Sequence, residues 1–315
     1  MTRLADALQR ANRSTDAAGT PPPPAPTLTP APIPTGDEAR VVRSRVQIPP
    51  SMPPTEAASA VVGTPLIGPP SKTPSEWRKN PELVGKLVGT EDFPNAALEQ
   101  YRKLAATLHR VQDEHNLQVV MTASCLPGEG KSLTAINLAL TLSGSYERRV
   151  LLIDADLRRP TVQRVFQLPT ITGLDDGLKA EHDRPMPITE VSDRLFVLPA
   201  GRPDPDPLSG LTSDRMTRLV QQARGAFDWV LIDTPPVTLL PDANLLAANV
   251  DGVLLVVRAG KAPYHLVKRT VETIGHDRIL GVVMNAVDHR HDRNAGGYYE
   301  YYGYGGYGYY GGTKK

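Results

Sequence analysis

The stretch Ser124-Cys125-Leu126-Pro127-Gly128-Glu129-Gly130-Lys131-Ser132 narrows the folds open to this chain more than any other feature of its 315 residues. It follows a segment, Leu117 to Ser124, that reads as a strand. It opens a segment, Lys131 to Ser143, whose Ile136, Leu138, Ala139, Leu140 and Leu142 suit a helix packed on a core. A glycine-rich turn between strand and helix that ends in Gly-Lys-Ser places backbone N–H groups and the positive end of a helix dipole around a phosphate. Glycines allow the close approach, Lys131 reaches the terminal phosphates, and the Ser132 hydroxyl can ligate Mg2+. Cys125 occupies the place where such loops usually begin with glycine. We read it as a small filler residue, with a redox-active thiol as the alternative.

The rest of the central sequence agrees with that turn. Helical and strand patterns alternate from Ala97 onward: helix 97–111, strand 117–124, helix 131–143, strand 149–154, strand 195–198, helix 213–224, strand 229–233, helix 242–248, strand 252–258, helix 265–274 and strand 279–285. Runs such as Val150-Leu151-Leu152-Ile153 are continuously apolar, which suits strands covered on both faces. The expected fold is therefore α/β, with a doubly wound, mostly parallel sheet. Two of these strands end in carboxylates, one in Asp154-Ala155-Asp156 and the other in Asp233-Thr234-Pro235-Pro236. Ligands of such sheets bind at the carboxyl ends of the strands. Mg2+ needs only one or two protein carboxylates beside phosphate and water.

Composition divides the chain in three. Residues 1–90 hold 17 of the 31 prolines and one aromatic residue, Trp77. This stretch reads as disordered, apart from a possible short helix from Thr2 to Arg13. Residues 91–290 suffice for one domain with its own core. Residues 291–315 form a tail in which 296–312 comprise eight glycines, eight tyrosines and Glu300. A net charge of +1 argues against nucleic acid as a partner. The single cysteine excludes a disulfide framework and suits a reducing cytoplasm. The longest apolar run, Val253 to Val257, is far short of a membrane span, and the first residues lack a signal-peptide core.

The loop Pro127–Ser132, the segment Asp154-Ala155-Asp156-Leu157-Arg158-Arg159-Pro160, the segment Asp233-Thr234-Pro235-Pro236 and the tyrosine-rich tail, taken together and in this order, resemble the bacterial tyrosine kinases of capsular and exopolysaccharide production. The resemblance implies a deviant phosphate-loop NTPase fold related to the partitioning and septum-site ATPases, with ATP and Mg2+ as cofactors. It places Pro127, Gly128, Glu129, Gly130, Lys131, Ser132 and Leu133 around the nucleotide and Asn285 near its base. Lys131, Asp154 and Asp156 become the catalytic residues, and Ser132, Asp154 and Asp233 the metal-binding ones. Asp156 is expected to accept or orient the phenol proton and Asp154 to face the metal, roles that are interchangeable at this level. The phosphoacceptors are Tyr298, Tyr299, Tyr301, Tyr302, Tyr304, Tyr307, Tyr309 and Tyr310, on a tail too rich in glycine to form a core. The alternative for this tail is a sticky low-complexity segment.

The expected activity is ATP-dependent autophosphorylation that regulates polysaccharide synthesis and export. The implied partners are a separate membrane activator of the polysaccharide co-polymerase type, a protein-tyrosine phosphatase and further copies of the chain. The implied location is cytoplasmic, at the inner face of the plasma membrane. Glu99 and Arg102 match the family's oligomerisation motif, and Ala105 stands where a second arginine is usual. The competing reading is a partitioning-type ATPase switch without kinase activity. Such proteins usually carry a second lysine early in the loop, and Thr122 to Leu126 contains none.

Overall fold

A computed structural model of the chain describes residues 64–72, 82–168, 172–237 and 246–287. In chain order they form β1 (Ile67–Lys72), α1 (Asn95–His115), β2 (Val119–Ser124), α2 (Lys131–Ser145), β3 (Val150–Asp154), α3 (Val162–Val165), α4 (Leu174–Leu178), β4 (Met186–Ser192), β5 (Leu195–Leu198), α5 (Leu208–Leu211), α6 (Asp214–Ala226), β6 (Trp229–Asp233), β7 (Gly252–Arg258), α7 (Tyr264–Ile274) and β8 (Ile279–Asn285).

The eight strands make one sheet in the order β1-β4-β5-β3-β6-β2-β7-β8. Every pairing is parallel except β4 with β5. Every residue of β2, β3, β5 and β6 is buried, as continuous apolar runs require in a sheet covered on both sides. Successive side chains alternate between two cores. Val119, Met121, Leu151, Ile153, Val230 and Ile232 face α6. Val120, Val150, Leu152, Trp229 and Leu231 face α2 and the inner side of α1. Ala105 is wholly buried in that second core, whereas Glu99 and Arg102 lie exposed and pair with each other at 2.6 Å.

The expected strands and the helices 97–111, 131–143, 213–224 and 265–274 all appear, within a few residues of their expected ends. The short helices α3, α4 and α5 and the strands β1 and β4 were not anticipated. β1 lies inside the stretch read as proline-rich and without structure. It sits at the sheet's edge, where Pro69 and Pro70 can lack N–H groups without breaking an inner ladder. Its entry is pinned by Leu66, fully buried, whose N–H donates to Gln222 Oε1 at 2.7 Å and whose carbonyl accepts from Met186 N at 2.7 Å. The expected helix at 242–248 lies mostly outside the described residues; its end forms a 3-10 turn, Ala247–Asn249. The helix expected at Thr2–Arg13 and the tyrosine cluster lie wholly outside them. Among the described residues no helix is long and apolar enough to cross a membrane.

The strand that carries the phosphate loop is fixed at its start by Asp251. Its Oδ2 accepts N–H bonds from Gln118 (2.9 Å) and Val119 (2.7 Å), and its carboxylate grips Arg224 at 2.6 and 2.8 Å. One side chain thus joins the beginnings of β2 and β7 to the end of α6. Replacing Asp251 with Ala leaves two amides and a guanidinium without an acceptor. Chemical denaturation is expected to show a loss of about 1–3 kcal/mol, with Asp251→Asn losing less.

Candidate functional site

At the carboxyl end of β2 the chain turns through Gly128 (φ 78°) and Gly130 (φ 92°) before entering α2. Both glycines adopt the left-handed backbone that side chains disfavour. α2 has no side-chain N-cap and no acidic residue in its first turn. Its leading amides therefore stay available to an anion, and nothing nearby on the helix cancels its dipole. Pro127 is exposed and has no N–H to offer. Leu133 packs its side chain on the α2 core, so it can contribute only through its backbone.

Lys131 is buried, 8% exposed, at the head of this loop. Its Nζ donates to Asp156 Oδ2 at 3.0 Å and to Ser132 Oγ at 3.1 Å, and lies 3.6 Å from Asp233 Oδ1. Burial works to lower the lysine's pKa, but the charges of Asp233 and Asp156 outweigh it and leave the pKa raised. Lys131 is thus held as a cation. Sheet register brings the acids together, because Asp154 on β3 pairs directly with Asp233 on β6.

The three carboxylates are engaged differently. Asp154 accepts N–H bonds from Asp156 (3.2 Å), Thr161 (3.0 Å) and Val162 (2.9 Å). Burial and then the charge of Asp233 push its pKa up to about 8, against the Val162 and Thr161 amides, which lower it. Asp156 accepts from Arg159 N through Oδ1 and holds Lys131 through Oδ2. Burial also raises the pKa of Asp233, and the charge of Lys131 opposes that shift. Thr122 Oγ1 reaches Asp233 Oδ1 at 3.4 Å, and Oδ2 is buried with no hydrogen-bond partner.

An unpartnered buried carboxylate oxygen beside a lysine and a serine hydroxyl is a place that wants a cation. No group of three or more His, Cys, Asp or Glu side chains forms a cage among the described residues. Such a cage is not needed by Mg2+, which is usually held by one or two protein oxygens with phosphate and water completing the octahedron. The residues present fit that ion, with Asp233 and Ser132 as its holders.

The site also uses contacts that sequence reasoning missed, and one residue, Arg258, that it did not name. The Glu129 side chain is buried and turned into the protein: Oε2 accepts from Leu126 N (2.7 Å) and Oε1 from Arg258 N (3.3 Å). Asn285 Nδ2 donates to the Glu129 carbonyl at 2.8 Å. Arg258 has no motif that would have singled it out; it closes the loop's back because β7 ends there. Cys125 is fully buried among Leu255, Val257 and the inner side of α7, as a filler residue would be.

Comparison with known proteins agrees with this geometry. Residues 116–307 match the family model described as ParA, NUBPL iron-transfer P-loop NTPase. Tyrosine-protein kinase YwqD of Bacillus subtilis is 35% identical over 190 residues, which is 59% of this chain and 80% of that relative. The succinoglycan biosynthesis transport protein ExoP of Rhizobium meliloti is 36% identical over 206 residues, 63% of this chain but only a quarter of ExoP (25%). The solved kinase domain of the Escherichia coli tyrosine kinase ETK superposes with a TM-score of 0.58 at 29% identity, covering 62% of this chain and 77% of that domain. With one cysteine in the whole sequence, a single copy of this chain lacks the thiolates that hold an iron–sulfur cluster. The phosphate loop, the paired aspartates and the kinase relatives converge: the chain belongs to the ParA-like P-loop NTPases and, among them, to the bacterial tyrosine-protein kinases.

Proposed function

We propose that this chain is an ATP-dependent protein-tyrosine autokinase that modifies its own C-terminal tyrosine cluster and thereby regulates capsular or exopolysaccharide assembly. The observation that carries this reading is the convergence of Lys131, Asp156 and Asp233 at the head of the loop. In the resting site Lys131 is balanced by two carboxylates. Phosphates entering the loop compete for the lysine and release Asp156. The tyrosine oxygen then attacks the terminal phosphorus in line, the phosphorus–oxygen bond to ADP breaks, and the phenol proton passes to Asp156. A free phenol has a pKa of about 10, so Asp156 acts more by orienting the hydroxyl than by removing its proton beforehand. Mg2+, held by Asp233 and Ser132, neutralises charge on the phosphate oxygens when bound. Asp154 serves as a strut, because its oxygens already hold the turn from Asp156 to Val162.

The eight tyrosines from Tyr298 to Tyr310 are the acceptors in this scheme. Tyr298 lies thirteen positions beyond Asn285, a reach of at most about 45 Å when extended. The tail can therefore serve its own site or that of a neighbouring copy. Each phosphate adds roughly −1.5 to −2 charges, so a modified tail is repelled from the aspartates and a phosphatase restores docking. ExoP, named for succinoglycan biosynthesis and transport, is a much longer relative. A relative with that name supports a membrane activator of the co-polymerase type as partner and a peripheral place at the inner face of the membrane. Self-association through the outer side of α1 completes the proposal.

Three measurements test this reading. Lys131→Met is expected to reduce tail phosphotyrosine, read by mass spectrometry with activator present, by at least about a hundredfold, in a variant that still folds but melts earlier because Asp156 and Asp233 lose their buried partner. Normal labelling would sink the assignment, and ATP hydrolysis without labelling in the wild type would point to a partitioning-type switch instead. Replacing all eight tail tyrosines with Phe is expected to remove the label and leave nucleotide affinity unchanged. Asp154→Ala, measured without nucleotide or Mg2+, is expected to destabilise the fold by about 1–3 kcal/mol, because it orphans buried amides. A mere metal ligand would show a gain, since its removal relieves repulsion with Asp233.

A further inference from the structure

The Asn285 side chain is half-buried and reaches toward the phosphate loop. Its Nδ2 donates to the Glu129 carbonyl at 2.8 Å, while its Oδ1 accepts from Ala286 N at 2.8 Å, which fixes the direction of the amide. A Cβ on Gly130 would collide with that same Nδ2. Asn285 pairs in register with Arg258 on the neighbouring strand β7. Arg258 in turn donates its backbone N–H to Glu129 Oε1 (3.3 Å) and its Nη1 to the Gly128 carbonyl (3.4 Å). The last rung of the β7–β8 ladder therefore grips three groups of residues 128 and 129.

The peptide between Glu129 and Gly130 is trans, as are all the others described. In a planar trans peptide the carbonyl and the following N–H point in opposite directions. Drawing the Glu129 carbonyl toward Asn285 therefore aims the Gly130 N–H the other way, into the loop. We propose that Asn285 is a positioning residue for phosphoryl transfer: it orients the Glu129–Gly130 peptide so that the Gly130 N–H meets the nucleotide phosphates. This role differs from the base contact that resemblance implied for the same residue. It makes the end of β8, from which the chain runs on toward the tyrosine tail, part of the loop's support. The inference rests on the nucleotide-binding reading above.

The two roles separate with a ligand that has no base. Full-length protein in Mg2+ is titrated with a fluorescent ATP analogue, which is then competed with ATP, GTP and inorganic tripolyphosphate. Asn285→Ala is expected to weaken all three competitors by the same factor, about five- to tenfold, as the loss of one oriented hydrogen bond predicts. Asn285→Asp, nearly the same size but without the donating N–H, is expected to do at least as much. It stands in for the Ala variant should that one melt early. Weakened ATP with unchanged tripolyphosphate, or an altered preference for ATP over GTP, would return Asn285 to the base and overturn the proposal. Unchanged affinity for all three would overturn it as well. A wild-type chain that binds none of them would bring down the nucleotide reading itself, a result distinct from either.

Discussion

A cation buried beside two carboxylates is the interaction on which the rest of this site depends. Lys131 could not keep its charge at this depth alone, and its charge in turn opposes the burial that pushes the Asp233 pKa up. The three groups are mutually necessary in the resting protein. Their balance is also provisional, because Asp233 Oδ2 remains without a partner. The cluster is thus neutral enough to fold around and incomplete enough to accept a metal and an anion together.

The sheet is what makes that cluster possible. Parallel β3 and β6 place Asp154 and Asp233 opposite each other, and β2 beside β6 delivers the loop to the same end. Continuous burial of the strands allows no side chain below this level to be polar without a partner, so the acids gather where the strands stop. Asp154 then turns the repulsion it would feel into structure, spending both oxygens on the amides of residues 156, 161 and 162.

Much of this was legible in the sequence, for physical reasons. Val150–Ile153 and Trp229–Ile232 announce inner strands because only burial on both faces tolerates such runs. Gly128, Gly130, Lys131 and Ser132 announce the loop because few other residues allow that backbone and that charge together. β1 escaped notice because Ile67-Gly68-Pro69-Pro70 offers neither alternation nor strand propensity. Its place is set by β4 and by Gln222, both distant in sequence. The direction of the Glu129 side chain was equally hidden, since a carboxylate in a phosphate loop reads as exposed until Arg258 and Leu126 supply the amides that bury it. Asn285 was found as a residue, but its partner, 156 positions earlier, was not.

The contact between Asn285 and the loop has a consequence for how such a chain can change over generations. Gly130 has no freedom to acquire a side chain while Asn285 is present, and a larger residue at 285 would press on the same glycine. The first and last thirds of the domain are therefore not interchangeable modules. A recombinant that joined the loop of one relative to the final strand of another would inherit a mismatch at this point even if both cores packed well. Substitutions at 130 and 285 should travel together through descent, as a pair separated by most of the domain's length.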